Sequence, residues 1–275
     1  LKVVDVAVND RFWLGKKYGL TLGIKAASHD YLLLTDADWI PNSPDWITEM
    51  VSSYSQKKAL VLGYGKYELQ NSLVNFFIQF ETVHTAIQYF SWALVGMPYM
   101  GVGRNMAYNR QLFFDKKGFV SHMHIPSGDD DLFIQECVKA KKTVGVLFSE
   151  SAKTVSEPKT SWRKWYYQKR RHVSTAPFYP KLTLMRLFFL ESIQIVFYII
   201  CPILILTLNI PLWFTYTIFG ITLLTVLLRW YTLLKKVGEK MLIFLIPFYS
   251  VLIFLFQLVV SISNGLNKPK NWMGR

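Results

Sequence analysis

The chain has 275 residues, and its 31 Lys and Arg against 18 Asp and Glu give a formal net charge of +13. Its two cysteines, Cys137 and Cys201, exclude a disulfide framework and a thiolate metal cage, and they suit a reducing compartment. The excess of positive charge leaves three partner classes open: nucleic acid, anionic lipid headgroups and anionic small substrates. From about residue 184 onward Leu, Ile, Phe, Val and Tyr dominate, whereas residues 1–180 have ordinary soluble composition. Beside such an apolar tail the positive-inside bias accounts for the charge, and nucleic acid is not an expected partner.

The sequence opens at Leu1 in mid-pattern with neither an initiator Met nor a signal peptide, so an N-terminal piece is expected to be missing. Tyr31–Leu34 reads as a buried strand that empties into Thr35-Asp36-Ala37-Asp38. Ligands of open α/β sheets bind beyond the carboxyl ends of the strands, where this carboxylate pair falls. Two carboxylates at i and i+2 need a cation beside them, either a basic side chain or a divalent metal. Ser43-Pro44-Asp45 then resembles an N-cap, a first-turn proline and a first-turn acid, which predicts a helix over about 44–56. A second strand follows at Ala59–Tyr64. Leu73–Leu94 is aromatic and too polar to span a bilayer, so it is expected as an amphipathic helix at the membrane surface or under the sheet.

Met100–Arg110 forms a glycine-bearing loop, in which Gly101 and Gly103 let backbone approach a ligand closely. Ser127-Gly128-Asp129-Asp130-Asp131 places three carboxylates at the start of a helix running to about Lys141. The helix dipole favours acids there, but three exceed what a cap needs. Their mutual repulsion is expected to raise at least one pKa, which makes a general base near neutrality. Between Trp162 and His172, Trp165, Gln168 and Arg171 or His172 share one helix face. An aromatic, an amide and a guanidinium on one face suit an anionic, ring-bearing ligand such as a nucleotide diphosphate; a juxtamembrane contact with anionic lipid is the competing explanation.

In the tail, Ile210–Leu228 and Met241–Ser263 carry no charge and are long enough to span. Leu187–Leu208, with Glu191 and Gln194, either spans or lies along the surface. The basic loop Arg229–Lys240 is expected to be cytoplasmic, which places the soluble domain in the cytoplasm if the first two segments both span. Lys268, Lys270 and Arg275 would then fall outside, against the rule, so the direction of the last segment stays open.

Taken in this order above a membrane tail, the motifs resemble those of the processive-type family-2 glycosyltransferases, which include the synthases of cellulose, chitin and hyaluronan. In that family a D-x-D pair binds metal and nucleotide, a later Asp of a G-[ED]-D segment is the base, and a Q-x-x-R-W motif holds the diphosphate and acceptor. Asp36 and Asp38 match the first motif, Gly128-Asp129-Asp130 the second and Gln168 and Arg171 the third. His172 stands where the family has Trp, which puts a stacking role and long-chain processivity in doubt. Gly101, Gly103, Arg104 and Asn105 fall in the family's acceptor-facing segment, and Gly15-Lys16-Lys17 falls where many members carry a Lys before the D-x-D strand, with Lys17 taken as that residue. The opening strands of the family fold are absent from this sequence.

The resemblance implies an α/β fold: a GT-A-like (Rossmann-like) catalytic domain over 1–180 without its first strands, a membrane region of two to three helices over 184–263, and a basic tail over 264–275. It implies an integral protein of the cell (inner) membrane with its catalytic domain cytoplasmic. The implied reaction is metal-dependent transfer, with inversion, of a sugar from a nucleotide diphosphate sugar to a carbohydrate or lipid acceptor. Asp130 would be the base, Asp38 and Asp36 would hold magnesium or manganese, and Asp129, Gln168, Arg171, His172 and Lys17 would contact substrate. Three alternatives stay open: transfer of one sugar to a lipid acceptor in place of polymer extension, which His172 favours; a phosphatase with an aspartyl nucleophile, whose motif fits Trp39-Ile40 poorly; and a membrane-anchored binding protein without catalysis.

Overall fold

A computed structural model describes residues 2–6, 16–54, 58–138, 143–207 and 211–267. The chain divides into two compact units, one of residues 1–178 with 260–275 and one of residues 179–259.

The first unit is built on a four-stranded mixed sheet in the order β1-β5-β3-β6, formed by β1 (Tyr31–Leu34), β3 (Lys58–Gly63), β5 (Met106–Asn109) and β6 (Thr143–Leu147). β5 runs antiparallel to both β1 and β3, and β6 pairs parallel with β3. Hence β1, β3 and β6 share one direction, and Met106 at the start of β5 lies opposite both Leu34 and Leu62 at the strand ends. The residues after β1 and the loop before β5 therefore meet at one edge. A smaller sheet of β2 (Ile40–Pro41), β7 (Thr154–Ser156) and β4 (Gly65–Tyr67) adjoins in the order β2-β7-β4. β1 is an outer, half-buried strand with Tyr31 57 % exposed, where the apolar run had predicted full burial. Its apolar residues cover one side of a sheet edge, and the run carries no signal of edge position.

Alternation along the central strands fills two faces. Val61 and Ala107 pack with Trp46 and Met50 of α2 (Trp46–Ser52) and with Ala152. On the opposite face Tyr108 meets Phe113 of α4 (Arg110–Asp115) and Phe133 of α5 (Asp131–Val138), while Phe113 packs edge-on against Phe119 with ring centroids 5.1 Å apart. α2 starts later than the expected 44–56 because Ser43 spends its hydroxyl on the Asp45 N–H, in the turn before the helix. Residues 55–57, and the predicted end of α5 beyond 138, lie outside the described residues.

Helix α3 (Leu73–Leu94) has the predicted bounds, with Ser72 capping the N–H of Asn75. It lies within the protein core, with Asn75, Gln79, Glu81, Thr82 and His84 all buried. Gln79 donates to the Tyr67 and Glu68 carbonyls at 2.7 and 2.8 Å, and Glu81 pairs with Lys169 at 2.6 Å. α6 (Trp162–Val173) begins at the Ser161 cap, and near its end Arg170 and Arg171 complement its dipole.

In the second unit, α7 (Lys181–Thr207) and α8 (Leu212–Val237) precede α9 (Ile246–Leu266), whose final turns from Val260 belong to the first unit. Trp213–Val237 is long and apolar enough to cross a membrane, and Val251–Leu266 is a shorter apolar helix. The expected basic loop Arg229–Lys240 is instead largely helical: α8 continues to Val237 and stops at Gly238, whose φ of 81° forms a left-handed C-cap.

Candidate active site

At the carboxyl edge of the parallel strands, Lys16 at the first position of α1 (Lys16–Ala26) carries its ammonium between two carboxylates. It lies 2.5 Å from Asp36 Oδ1 and 2.8 Å from Asp129 Oδ2. Burial works against its charge, but Asp129, Asp36 and Asp130 outweigh it and hold Lys16 above the ordinary lysine range. Asp36 is delivered by the end of β1, and Trp39 N–H closes the D-x-D turn onto the Asp36 carbonyl at 3.0 Å. Asp38 is exposed at the crest of that turn.

Asp129 and Asp130 arrive from the loop that opens α5. The Gly103 N–H donates to Asp130 Oδ2 at 2.9 Å, and a Cβ on Gly103 would stand 3.1 Å from Lys16 Nζ and 3.4 Å from Asp129. A side chain at this position would press the pre-β5 loop off the cluster unless Lys16 gave way by a few tenths of an ångström. Burial, then the charges of Asp129 and Asp131, push the Asp130 carboxyl up to about 7, against the pull of Lys16 and the Gly103 N–H. The expected raised carboxylate is therefore present, and it is Asp130. Asp131 turns away: it accepts from Thr175 and caps the N–H of Leu132.

The third motif closes the site from α6. Gln168 donates to the Tyr67 hydroxyl at 2.8 Å, and Trp165 packs edge-on against the Tyr67 ring. Burial lowers the pKa of Arg171, while Asp36, Tyr67, Asp129 and Asp38 all lie close enough to oppose that shift. Burial and then Lys169, Arg171, Arg104 and Lys16 hold His172 well below the ordinary histidine value, so it stays neutral among cations. Asp36, Asp38, Asp129, Asp130, Gly103, Arg171 and His172 thus gather around one edge.

Other residues singled out from the sequence serve elsewhere. Lys17 is buried and donates to the His122 and Ile125 carbonyls at 2.7 and 3.1 Å; burial lowers its pKa to about 8. Its neighbour Lys16 is the lysine that reaches the carboxylates. Asn105 is fully buried, with its amide donating to the Tyr64 and Ala152 carbonyls and accepting from the Trp46 indole. Gly101 packs against Leu62 and Ile134. Tyr67, Trp39 and Lys169 were not singled out. None has a local signal, since each matters only through what the fold sets beside it.

Among the described residues no three His, Cys, Asp or Glu side chains converge as a metal cage. A magnesium-type ion takes one or two carboxylates plus substrate phosphates, however, and the exposed carboxylate of Asp38 with the half-buried one of Asp36, whose Oδ1 pairs with Lys16, would supply that donor set. The residues present fit a dication shared with a bound diphosphate.

No curated protein matches the chain. The description of glycosyl transferase family 21 matches residues 15–267, a span that contains all three motifs. The match supports a glycosyltransferase, and the family matched is not the processive family-2 group whose motifs these residues resemble. The chain belongs to glycosyl transferase family 21.

Proposed function

We propose that the protein is an inverting glycosyltransferase that moves one sugar from a nucleotide diphosphate sugar to a hydroxyl of a lipid acceptor, at the cytoplasmic face of the cell (inner) membrane. The observation that carries this reading is Asp130, a carboxylate poised near neutrality beside a cation-bearing edge. The acceptor hydroxyl attacks the anomeric carbon, and its proton passes to Asp130. The bond from that carbon to the diphosphate breaks, and the electron pair leaves with the diphosphate. Arg171 and Lys16 face the leaving charge, and Gln168, anchored on Tyr67, orients the substrate. Asp36 and Asp38 would hold magnesium or manganese. When bound, that ion would offset charge on the leaving diphosphate. His172 in place of the processive group's Trp favours a single transfer over polymer extension, and the apolar helices favour a lipid acceptor.

Membranes carrying the full-length protein, given a panel of nucleotide sugars with magnesium or manganese, should release one nucleoside diphosphate and form a lipid-extractable product. Chelator and Asp38→Ala should abolish release, and Asp130→Asn should cut it about 10²-fold or more. A product of high molecular mass would overturn the single-transfer reading, and release undiminished in Asp130→Asn would overturn the assignment of the base.

A further inference from the structure

Arg104 was assigned by resemblance to the acceptor-facing loop, but its surroundings support a different role. Its backbone carbonyl accepts from Thr35 at 3.1 Å and from Thr154 at 3.2 Å, which ties the residue to the strand end before Asp36 and to β7. Its guanidinium lies over the Trp39 ring at 4.5 Å from the centroid and over the Tyr67 ring at 5.5 Å. Trp39 belongs to the turn that carries Asp36 and Asp38, and Tyr67 is the ring that Gln168 grips. The stack has a shape requirement: a Cβ on Gly65 would come within 2.7 Å of Arg104 Nε and 2.9 Å of Trp39.

The remaining feature is charge. Lys16 has Asp36 and Asp129, and Lys169 has Glu81. Arg104 makes no ion pair with a carboxylate among the described residues, and its buried Nε has no hydrogen-bond partner there. A half-buried guanidinium fixed by two rings, its Nε out of water and with no protein counter-ion among the described residues, is prepared for an anion that arrives with the ligand. The two-ring stack removes rotamer freedom in advance, so little ordering remains to be paid on binding. Arg104 also lies within electrostatic reach of Tyr67, Lys169 and His172, the residues on the α6 side of the site.

We propose that Arg104 binds the diphosphate of the donor and of the departing nucleotide, as a cationic fork separate from the Arg171 clamp, and does not bind the acceptor. This rests on the transferase reading above. Charge-assisted, two-pronged contact with phosphate oxygens is what the guanidinium geometry offers. The preference should therefore appear as selectivity for a nucleoside diphosphate over the monophosphate.

The test uses purified full-length protein in detergent. Equilibrium dialysis measures affinity for uridine and guanosine diphosphates and for the matching monophosphates. Arg104→Gln should weaken diphosphate binding about tenfold or more while leaving the monophosphate nearly unchanged. Gly65→Ala, which displaces the guanidinium without removing it, should move the same way. Arg104→Lys keeps the charge and loses the planar fork, so it should fall between, and it serves if the Gln variant does not fold. Unchanged diphosphate affinity in folded Arg104→Lys and Gly65→Ala would overturn the proposal, as would a loss confined to acceptor KM. If the wild type binds neither nucleotide, the transferase reading itself fails, an outcome distinct from selective loss in the variants.

Discussion

Asp130 sits between opposed influences, and each one can be removed separately. Its carboxyl is raised to about 7 by burial and by Asp129 and Asp131, and held down by Lys16. A base is active when ionised, so transfer should rise with pH through about 7 and level off above it. Removing Lys16 as Lys16→Met should move that midpoint upward, and Asp129→Asn should move it downward; a pH profile of kcat reads both. Asp130→Asn should cost about 10²-fold or more in kcat if general-base catalysis operates as usual. The same shift has a stability consequence. A carboxyl that binds its proton more tightly in the folded than in the unfolded chain loses stability as pH rises from its ordinary value near 3.8 to about 7. Asp130→Asn should therefore melt above the wild type at pH 8 and alongside it near pH 4, as measured by thermal unfolding.

At the scale of elements, the loop before β5 and helix α6 are each held by buried polar contacts. Asn105 joins the ends of β3, α2 and the Ala152 turn, so Asn105→Ala leaves the Ala152 carbonyl and the Trp46 indole N–H unsatisfied, while the Tyr64 carbonyl keeps the Thr154 N–H. At about 1–3 kcal/mol for each stranded group, a loss of about 2 kcal/mol or more is expected in denaturant unfolding. α6 is anchored to α3 by the Glu81–Lys169 pair, whose side chains are 4 and 13 % exposed. Lys169→Met strands the Glu81 carboxylate and should cost about 3–5 kcal/mol. The double variant Glu81→Leu, Lys169→Met should regain most of that loss, since an apolar pair needs no desolvation of charge. If the double variant proves as unstable as the single one, the ion pair is not the anchor.

For the molecule as a whole, the final turns of α9 fold back onto the catalytic unit. Tyr166 donates to Ser263 Oγ at 2.6 Å, Arg170 Nε donates to Asn264 Oδ1 at 2.9 Å, and Asn264 returns a bond to the Arg170 carbonyl at 2.8 Å. The chain leaves this unit after Phe178 and rejoins it at Val260. On the transferase reading we propose two membrane crossings between those points, which would return Gly265 to the side of Lys164. In a Cys201→Ser background, Gly265→Cys and Lys164→Cys should both be labelled by an impermeant thiol reagent only when the cytoplasmic face is open. Labelling of Gly265→Cys from the opposite face would refute this arrangement.

Local pattern determined the strand Tyr31–Leu34, the full extent of α3, the acidic opening of α5 and the shared face of α6. Period, caps and turn residues are properties of neighbouring residues, so sequence alone carries them. The three motifs that resemble those of the family-2 group were legible for the same reason. Tertiary structure alone decided which of two adjacent lysines meets the carboxylates. Successive helical residues point about 100° apart, and packing against His122 and Ile125 turns Lys17 inward and leaves Lys16 facing Asp36 and Asp129. It also divided the pre-β5 loop, giving Gly103 to the site, Asn105 to the core and Arg104 to an aromatic sandwich whose rings lie 65 and 37 positions away in sequence. Contacts of that span depend on where strands end relative to one another, which no window of local sequence records.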